Sequence, residues 1–269
     1  MSWYTADHNA AHRMQLLDFR LALPMTDAQS HKSWFLRPSV LLLIAVVLLV
    51  AYAALSVWLP YHRNQTAIAA IKRCGGTPDL TLKRPFWIPA AVDNEYLEVF
   101  EKLTSAFLDR SDISNTELAN LRGATDLEYL YLNKTPVSDV GLEHFSGLLD
   151  LLELRLGDTQ VGDKGLKHLQ GLSRLNTLTL HNTQVGDEGL KYLVGLTNLK
   201  WLTLHDTSIT DAGLEHLRGF TKLQLLTLDN TQVGDAGLEH LRALTDVQRL
   251  SLGNTKVSDA GLEHLRGLI

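Results

Sequence analysis

Leucines recur along the C-terminal half of this 269-residue chain at a fixed interval. Aligning Leu127, Leu151, Leu175, Leu199, Leu223 and Val247 gives six windows that start 24 residues apart with no insertion between them. Each reads L-x-x-L-x-L-x-x-T-x-V-x-D-x-G-L-x-H-L-x-G-L-x-x with few departures. Two periods share each window. In Leu130-Tyr131-Leu132 apolar residues alternate with outward ones, the spacing of a strand. Leu142, Phe145 and Leu148 recur every third residue, which suits one face of a short helix. A weaker window starts at Leu103; it keeps Leu108, Ile113, Leu118, Leu121 and Gly123 but has Ser111 for the threonine and Asn115 for the aspartate. The pattern therefore predicts an α/β solenoid of seven rungs over 103–269, the first degenerate, with a parallel sheet on the concave side and short helices on the convex side. No single unit can close its own core; stacking buries one continuous row of leucines.

The second apolar feature has no period. Val40 to Leu59 is a run of twenty residues without a charge, long enough as a helix to cross about 30 Å of hydrocarbon. Trp34, Tyr52 and Trp58 supply aromatic residues near its ends. Two readings stand: a transmembrane helix over 38–60, or a signal peptide cleaved near Ala51-Tyr52-Ala53. The run continues past that site and 39 residues precede it, both of which favour the anchor. Lys32 and Arg37 before the segment nearly balance Arg63, Lys72 and Arg73 after it. An anchor with its N-terminus inside and a signal peptide both place the repeats on the non-cytoplasmic side. Residues 1–37 read as a disordered tail. Residues 61–102 read as linker and cap: a short helix over Asn64–Arg73 stopped by Gly75-Gly76, an irregular proline-containing stretch over Thr77–Ala91, and a helix over Asp93–Lys102 covering the first rung.

Within the repeat, Ser138 and its equivalents Gly162, Gly186, Thr210, Gly234 and Ser258 suit a helix N-cap. Asp139, Asp163, Asp187, Asp211, Asp235 and Asp259 then fall in the first turn, where a carboxylate meets the positive end of the helix dipole. Thr135 and its equivalents are expected to satisfy backbone groups of the adjacent rung. Gly141 and Gly165 are expected to let neighbouring rungs approach closely.

The motif L-x-x-L-x-L-x-x-T followed by D-x-G-L-x-H-L resembles the leucine-rich-repeat family over about residues 103–269. In detail it is similar to the ribonuclease-inhibitor-like and cysteine-containing subclasses and to related bacterial repeat proteins, with threonine where those carry Asn or Cys. The resemblance implies a curved solenoid that usually serves protein–protein recognition. It names no partner, since a fold hosts many functions.

Charge narrows the partner class. Residues 103–269 hold 15 Lys+Arg and 22 Asp+Glu, a net of −7. That acidity argues against nucleic acid, which needs clustered positive charge. The single cysteine, Cys74, cannot form an intramolecular disulfide, so packing must hold the rungs together. No glycine-rich phosphate loop, H-E-x-x-H, G-x-S-x-G or paired C-x-x-C occurs, and the histidines and aspartates follow the repeat. The chain reads as a binding module without cofactor, not an enzyme.

The residues between the strand leucines face outward and vary from rung to rung. One column reads Ser105, Tyr129, Glu153, Thr177, Trp201, Leu225, Arg249; the next reads Phe107, Tyr131, Arg155, Thr179, Thr203, Thr227, Ser251; the third reads Asp109, Asn133, Gly157, His181, His205, Asp229, Gly253. Phe107, Tyr129, Tyr131, Glu153, Arg155, Trp201, His181 and His205 are the candidate protein-binding residues, because large aromatics and arginine are enriched at interface hot spots. His181, His205 and Asp229 are a weaker candidate metal set, two imidazoles and a carboxylate on successive rungs, with no evident fourth ligand. His144, His168, His216, His240 and His264 form a column on the helical side, too far apart to share a metal. Two alternatives to partner binding follow: a structural or self-associating homo-oligomer pairing through the edge strand near Val247–Leu252, and a metal-dependent enzyme at the histidine cluster.

Overall fold

The computed structural model describes residues 38–268; the tail expected over 1–37 lies outside the described residues. The chain divides into two units between Ser56 and Val57. The first contains the start of helix α1 (Pro38–Arg73), whose apolar stretch has no buried residue. Among the described residues α1 is the one helix long and apolar enough to cross a membrane.

The second unit is a stack on one eight-stranded sheet with strands in sequence order. These are β1 (Thr77–Leu82), β2 (Glu101–Phe107), β3 (Tyr129–Tyr131), β4 (Glu153–Arg155), β5 (Thr177–Thr179), β6 (Trp201–Thr203), β7 (Leu225–Thr227) and β8 (Arg249–Ser251). From β2 onward every pairing is parallel and joins residues 24 apart, such as Tyr129 with Glu153 and Leu154 with Leu178. The sheet thus reproduces the register of the sequence repeat. On the opposite side lie short helices α2 (Asn115–Leu118), α3 (Asp139–Leu142), α4 (Asp163–Leu166), α5 (Asp187–Leu190), α6 (Asp211–Leu214), α7 (Asp235–Leu238) and α8 (Asp259–Leu262). Most continue into a 3₁₀ turn, such as Lys167–Leu169 or Lys191–Leu193. Three residues per turn is the 3₁₀ geometry, which accounts for the apolar spacing of three in this half of the repeat.

Between the two layers the leucines form one cluster, from Leu103 to Leu244 almost wholly inaccessible to solvent. In the last rung the ladder opens: Leu262 is 49% exposed where its equivalents Leu238 and Leu214 are fully buried.

The entrance to the stack differs from the sequence expectation in two ways. Thr77–Leu82 is a strand, not irregular chain, and it runs antiparallel to β2. As the sheet's edge it tolerates Pro78, whose missing N–H costs nothing on an unpaired side. The cap is also not a helix over Asp93–Lys102. That segment is a 3₁₀ helix over Asn94–Phe100 followed by β2. The first rung is covered instead by Ala67, Ile68 and Ile71 of α1, which join the core cluster. Gly75, at φ +77°, ends this helix and turns the chain into β1.

The polar columns lock rungs together by a route the sequence did not reveal. The first-turn aspartates do fall where expected, but from Asp139 to Asp235 the carboxylate reaches forward to the next rung. Asp139 Oδ1 accepts from the Gly162 N–H at 2.7 Å, Asp163 Oδ1 from Gly186 at 2.7 Å, and Asp187 Oδ1 from Thr210 at 2.9 Å. The D-x-G spacing follows from this. A Cβ placed on Gly165 or Gly189 would lie 2.6 Å from the Oδ1 of the preceding rung's aspartate, so glycine leaves the room the carboxylate occupies. The threonines act within their own rung, not across rungs: Thr159 Oγ1 donates to the Leu156 carbonyl at 2.6 Å, and Thr183 Oγ1 to Leu180 at 2.6 Å. A left-handed turn residue appears once per rung, at Arg110, Lys134, Asp158, Asn182, Asp206, Asn230 and Asn254. Asn and Asp tolerate that conformation best among side-chain-bearing residues.

Asp187 gives a direct test of the interlock. Asp187→Ala leaves the Thr210 N–H and hydroxyl without their shared acceptor and is expected to cost about 1–3 kcal/mol. Asp187→Asn keeps one acceptor, as Asn115 does toward Ser138, and should lose less. Urea unfolding of the three proteins checks the order; equal stability would remove the interlock.

Candidate partner-binding face

On the open face of the sheet the candidate residues gather into separate groups. At the N-terminal end, Phe107 and Tyr131 meet edge to face with ring centroids 5.0 Å apart. The Arg155 guanidinium lies over the Tyr131 ring, 4.1 Å from its centroid. Its Nε and a terminal nitrogen both donate to Glu153 Oε1 at 2.6 Å. The chain of contacts follows from register: β2, β3 and β4 place Phe107, Tyr131 and Arg155 in successive paired positions, about 4.8 Å apart. Burial pushes the Tyr131 hydroxyl above its ordinary pKa, and the Glu153 carboxylate adds to the effect. The ring stays protonated and neutral, a hydrogen-bond donor on a surface stiffened by stacking. Tyr129 lies beside this group, partly exposed.

Trp201 stands apart on β6, half exposed. It lines a recess of about 290 Å³ with Gln224, Leu225, Gln248 and Arg249. These four residues were not in the candidate set. Leu225 and Arg249 were visible as members of Trp201's own column; Gln224 and Gln248 precede the strands and carried no signal in the alternation. Three members of the outward columns do not reach the surface, Gly157 beneath His181 among them. Ser105 and Thr177 are each 6% exposed. Thr177 sits between Glu153 and Trp201 in the sheet, and both neighbours outreach it.

His181 and His205 form a third group. Their rings stack 4.6 Å apart at 12°. Each pairs with a carboxylate: His181 Nε2 with Asp158 Oδ2 at 3.4 Å, and His205 Nδ1 with Asp206 Oδ2 at 2.7 Å. His181 overlies Gly157, where any Cβ would collide with the imidazole. The metal set does not assemble. Asp229 turns away to accept from Ser251 Oγ at 2.6 Å and the Gly253 N–H at 2.7 Å. Parallel rings direct their nitrogen lone pairs side by side, not toward one point. Among the described residues no group of three His, Cys, Asp or Glu side chains is arranged to hold a metal ion. The enzyme reading built on that set loses its ligands. The helical-side histidines also find local partners, His144 with Arg122 at 3.0 Å and His240 with Arg218 at 2.5 Å.

The stack has a pH signature. Burial, then the neighbouring His205, depresses the His181 pKa below its ordinary value. Between the depressed and the ordinary value the unfolded chain binds a proton that the folded chain does not. Stability from this group is therefore complete above the ordinary histidine pKa and falls as pH drops through the depressed one. Asp158 is itself held low by its hydrogen bond from Asn182, so it stays ionised across that window. Comparing urea midpoints at about pH 7.5 and about pH 5.5, His181→Gln should lose less stability on acidification than the parent. An equal loss would remove this role for the stack.

The family profile described as Leucine Rich repeat matches residues 149–169. No curated protein matches the sequence. Among solved structures, internalin C2 from Listeria monocytogenes is similar at 28% identity, with a TM-score of 0.55 over 62% of this chain and 68% of that one. Internalin F from the same organism shows 23% identity and a TM-score of 0.39 over 62% of this chain and 58% of its own. The matched repeat, the unbroken 24-residue register of the sheet and the fold shared with internalin C2 give this chain a leucine-rich-repeat fold and support its kinship with that family.

Proposed function

We propose that the chain is a membrane-anchored recognition module that captures a protein partner on the open face of its repeat sheet. It has no catalytic role, and the repeats lie on the non-cytoplasmic side. The observation that carries the reading is the ordered array of Phe107, Tyr131, Arg155 and Glu153, with Trp201 exposed on the same sheet. The leucines beneath are fully buried and serve the scaffold, so these side chains are not needed to close the core. Large aromatics and an arginine already held in place lose little conformational entropy on docking. Eight strands at about 4.8 Å give a face roughly 34 Å long, enough for a standard protein interface. α1 supplies the anchor, and its uncharged stretch matches the thickness of a bilayer.

The test is affinity capture from detergent-solubilised native membranes. The intact protein is compared with a Tyr131→Ala/Arg155→Ala/Trp201→Ala variant. A protein held by the first and lost by the folded second supports the reading. Recovery of the same partner by both overturns the open-face site, and recovery of the chain alone by both favours self-association.

A further inference from the structure

The loop between β1 and β2 carries an apolar segment that the repeat does not explain. Pro85-Phe86-Trp87-Ile88-Pro89-Ala90-Ala91-Val92 is eight residues without a charge or a hydrogen-bonding side chain other than the indole. Phe86 is fully exposed, Trp87 is 63% exposed, and Tyr96 close behind is 79% exposed. Such a patch on a folded surface marks a site of contact with something apolar. The loop is also braced. Arg84 donates to the Pro89 carbonyl at 2.7 Å, the Val92 carbonyl at 2.8 Å and Asn94 Oδ1 at 2.6 Å. The Ile88 and Val92 N–H groups bond inside the loop to Pro85 and Pro89, and the two prolines have no N–H to satisfy. The Ile88 and Val92 N–H groups and the Pro85, Pro89 and Val92 carbonyls are thus satisfied internally, which lowers the cost of their leaving water.

Two contacts fix where β1, which leads into this loop, lies along the helix. At the start of β1, the Gly76 N–H bonds to the Ile71 carbonyl at 2.9 Å. At its far end, Leu82 pairs with Glu101, whose carbonyl accepts from the buried Asn64 side chain at 3.3 Å. β1 therefore runs back along α1, from the level of residue 71 to that of residue 64. Asn64 stands five residues after Leu59, the last member of the uncharged run, a rise of about 7 Å. The interfacial zone of a bilayer is about 5–8 Å deep on each side. The end of β1 that leads into the loop lies at that level, and Trp58, whose ring stacks on His62 at 5.1 Å, precedes it on α1. At the same level Arg63 and Arg122 line an open recess of about 390 Å³ with Thr66 and Asn120. Among the described residues neither arginine makes an ion pair with a carboxylate.

From this placement we propose that the Pro85–Val92 loop inserts into the lipid–water interface as a second membrane contact, with Arg63 and Arg122 facing lipid phosphates. The inference rests on α1 spanning the bilayer. Aromatic side chains at the interface and cations at headgroup depth are the residue types that such a contact requires. Two contacts in place of one would hold the repeat unit in a fixed attitude to the membrane.

The test uses the full-length chain, Cys74→Ala, in nanodiscs of phosphatidylcholine and phosphatidylglycerol. Single cysteines replace Phe86, Ala90, Tyr52 or Lys222 and carry an environment-sensitive fluorophore. Lipids with nitroxides at shallow or deep positions serve as quenchers. Labels at Phe86→Cys and Ala90→Cys are expected to dim about twofold with the shallow quencher, Tyr52→Cys with the deep one, and Lys222→Cys with neither. Phe86→Cys and Ala90→Cys behaving like Lys222→Cys, with Tyr52→Cys quenched, overturns the loop contact and leaves the anchor standing. No quenching at Tyr52→Cys overturns the anchor and the loop contact with it.

Discussion

Replacing Leu178 with alanine is expected to destabilise the repeat unit by about 2–5 kcal/mol. Leu178 is fully buried at the centre of the stack, paired with Leu154 on one side and Leu202 on the other. Its neighbours are held by their own rungs, by backbone ladders and by the aspartate links, so they cannot collapse into the space left by the lost side chain. The cost should therefore sit toward the upper end of that range. Because each rung touches only its neighbours, a fault in the middle also weakens the coupling between the two halves. Calorimetry should show a lower and broader transition for Leu178→Ala than for the same change at Leu250, which is already partly exposed in the last rung. An equal effect at both positions would contradict a stack held by one continuous core.

The second large effect concerns recognition. Tyr131→Ala/Arg155→Ala/Trp201→Ala removes the stacked ring, its cation and the lone tryptophan in one variant. A single interface hot spot typically costs at least about 2 kcal/mol, close to 30-fold in affinity, so the triple change should take partner binding below detection. Stability should change little, since all three side chains stand on the open face and none belongs to the core cluster. The singles should not be additive. Tyr131 holds Arg155 in place, so losing either forfeits part of the other's contribution. Trp201 is two strands from Arg155 and should act independently.

Much of this molecule is written in its repeat. Leu127, Leu151 and Leu175 announce their positions because each performs the same task as its neighbours, so a period of 24 gives the rungs, the core and the register at once. The D-x-G spacing was visible as a pattern but not as a mechanism. That Asp163 bonds Gly186 and occupies the space beside Gly189 is a relation between rungs, and no local rule reports it. β1 was hidden for a similar reason: Pro78 and its short alternation look irregular until β2 supplies the partner strand. The cap was misplaced because Ala67, Ile68 and Ile71 belong to the same helix as the apolar run, and the sequence offers no boundary between the two tasks. On the open face, the columns foresaw that Phe107, Tyr131 and Arg155 would be neighbours. They did not foresee that Thr177 would be overshadowed, that Gln224 and Gln248 would join Trp201, or that Asp229 would turn away from His205. Those outcomes depend on side-chain length and direction, which a column of letters does not carry.

The central claim is that the sheet face, and not the helical side, meets the partner. A photoreactive phenylalanine analogue placed at Tyr131 or Trp201, and separately at the exposed Leu149 or Val194 outside the sheet, tests it in intact native membranes. The account predicts one crosslinked species of the same mass from positions 131 and 201 and none from 149 and 194. Crosslinks from 149 or 194 with none from 131 and 201 would contradict it.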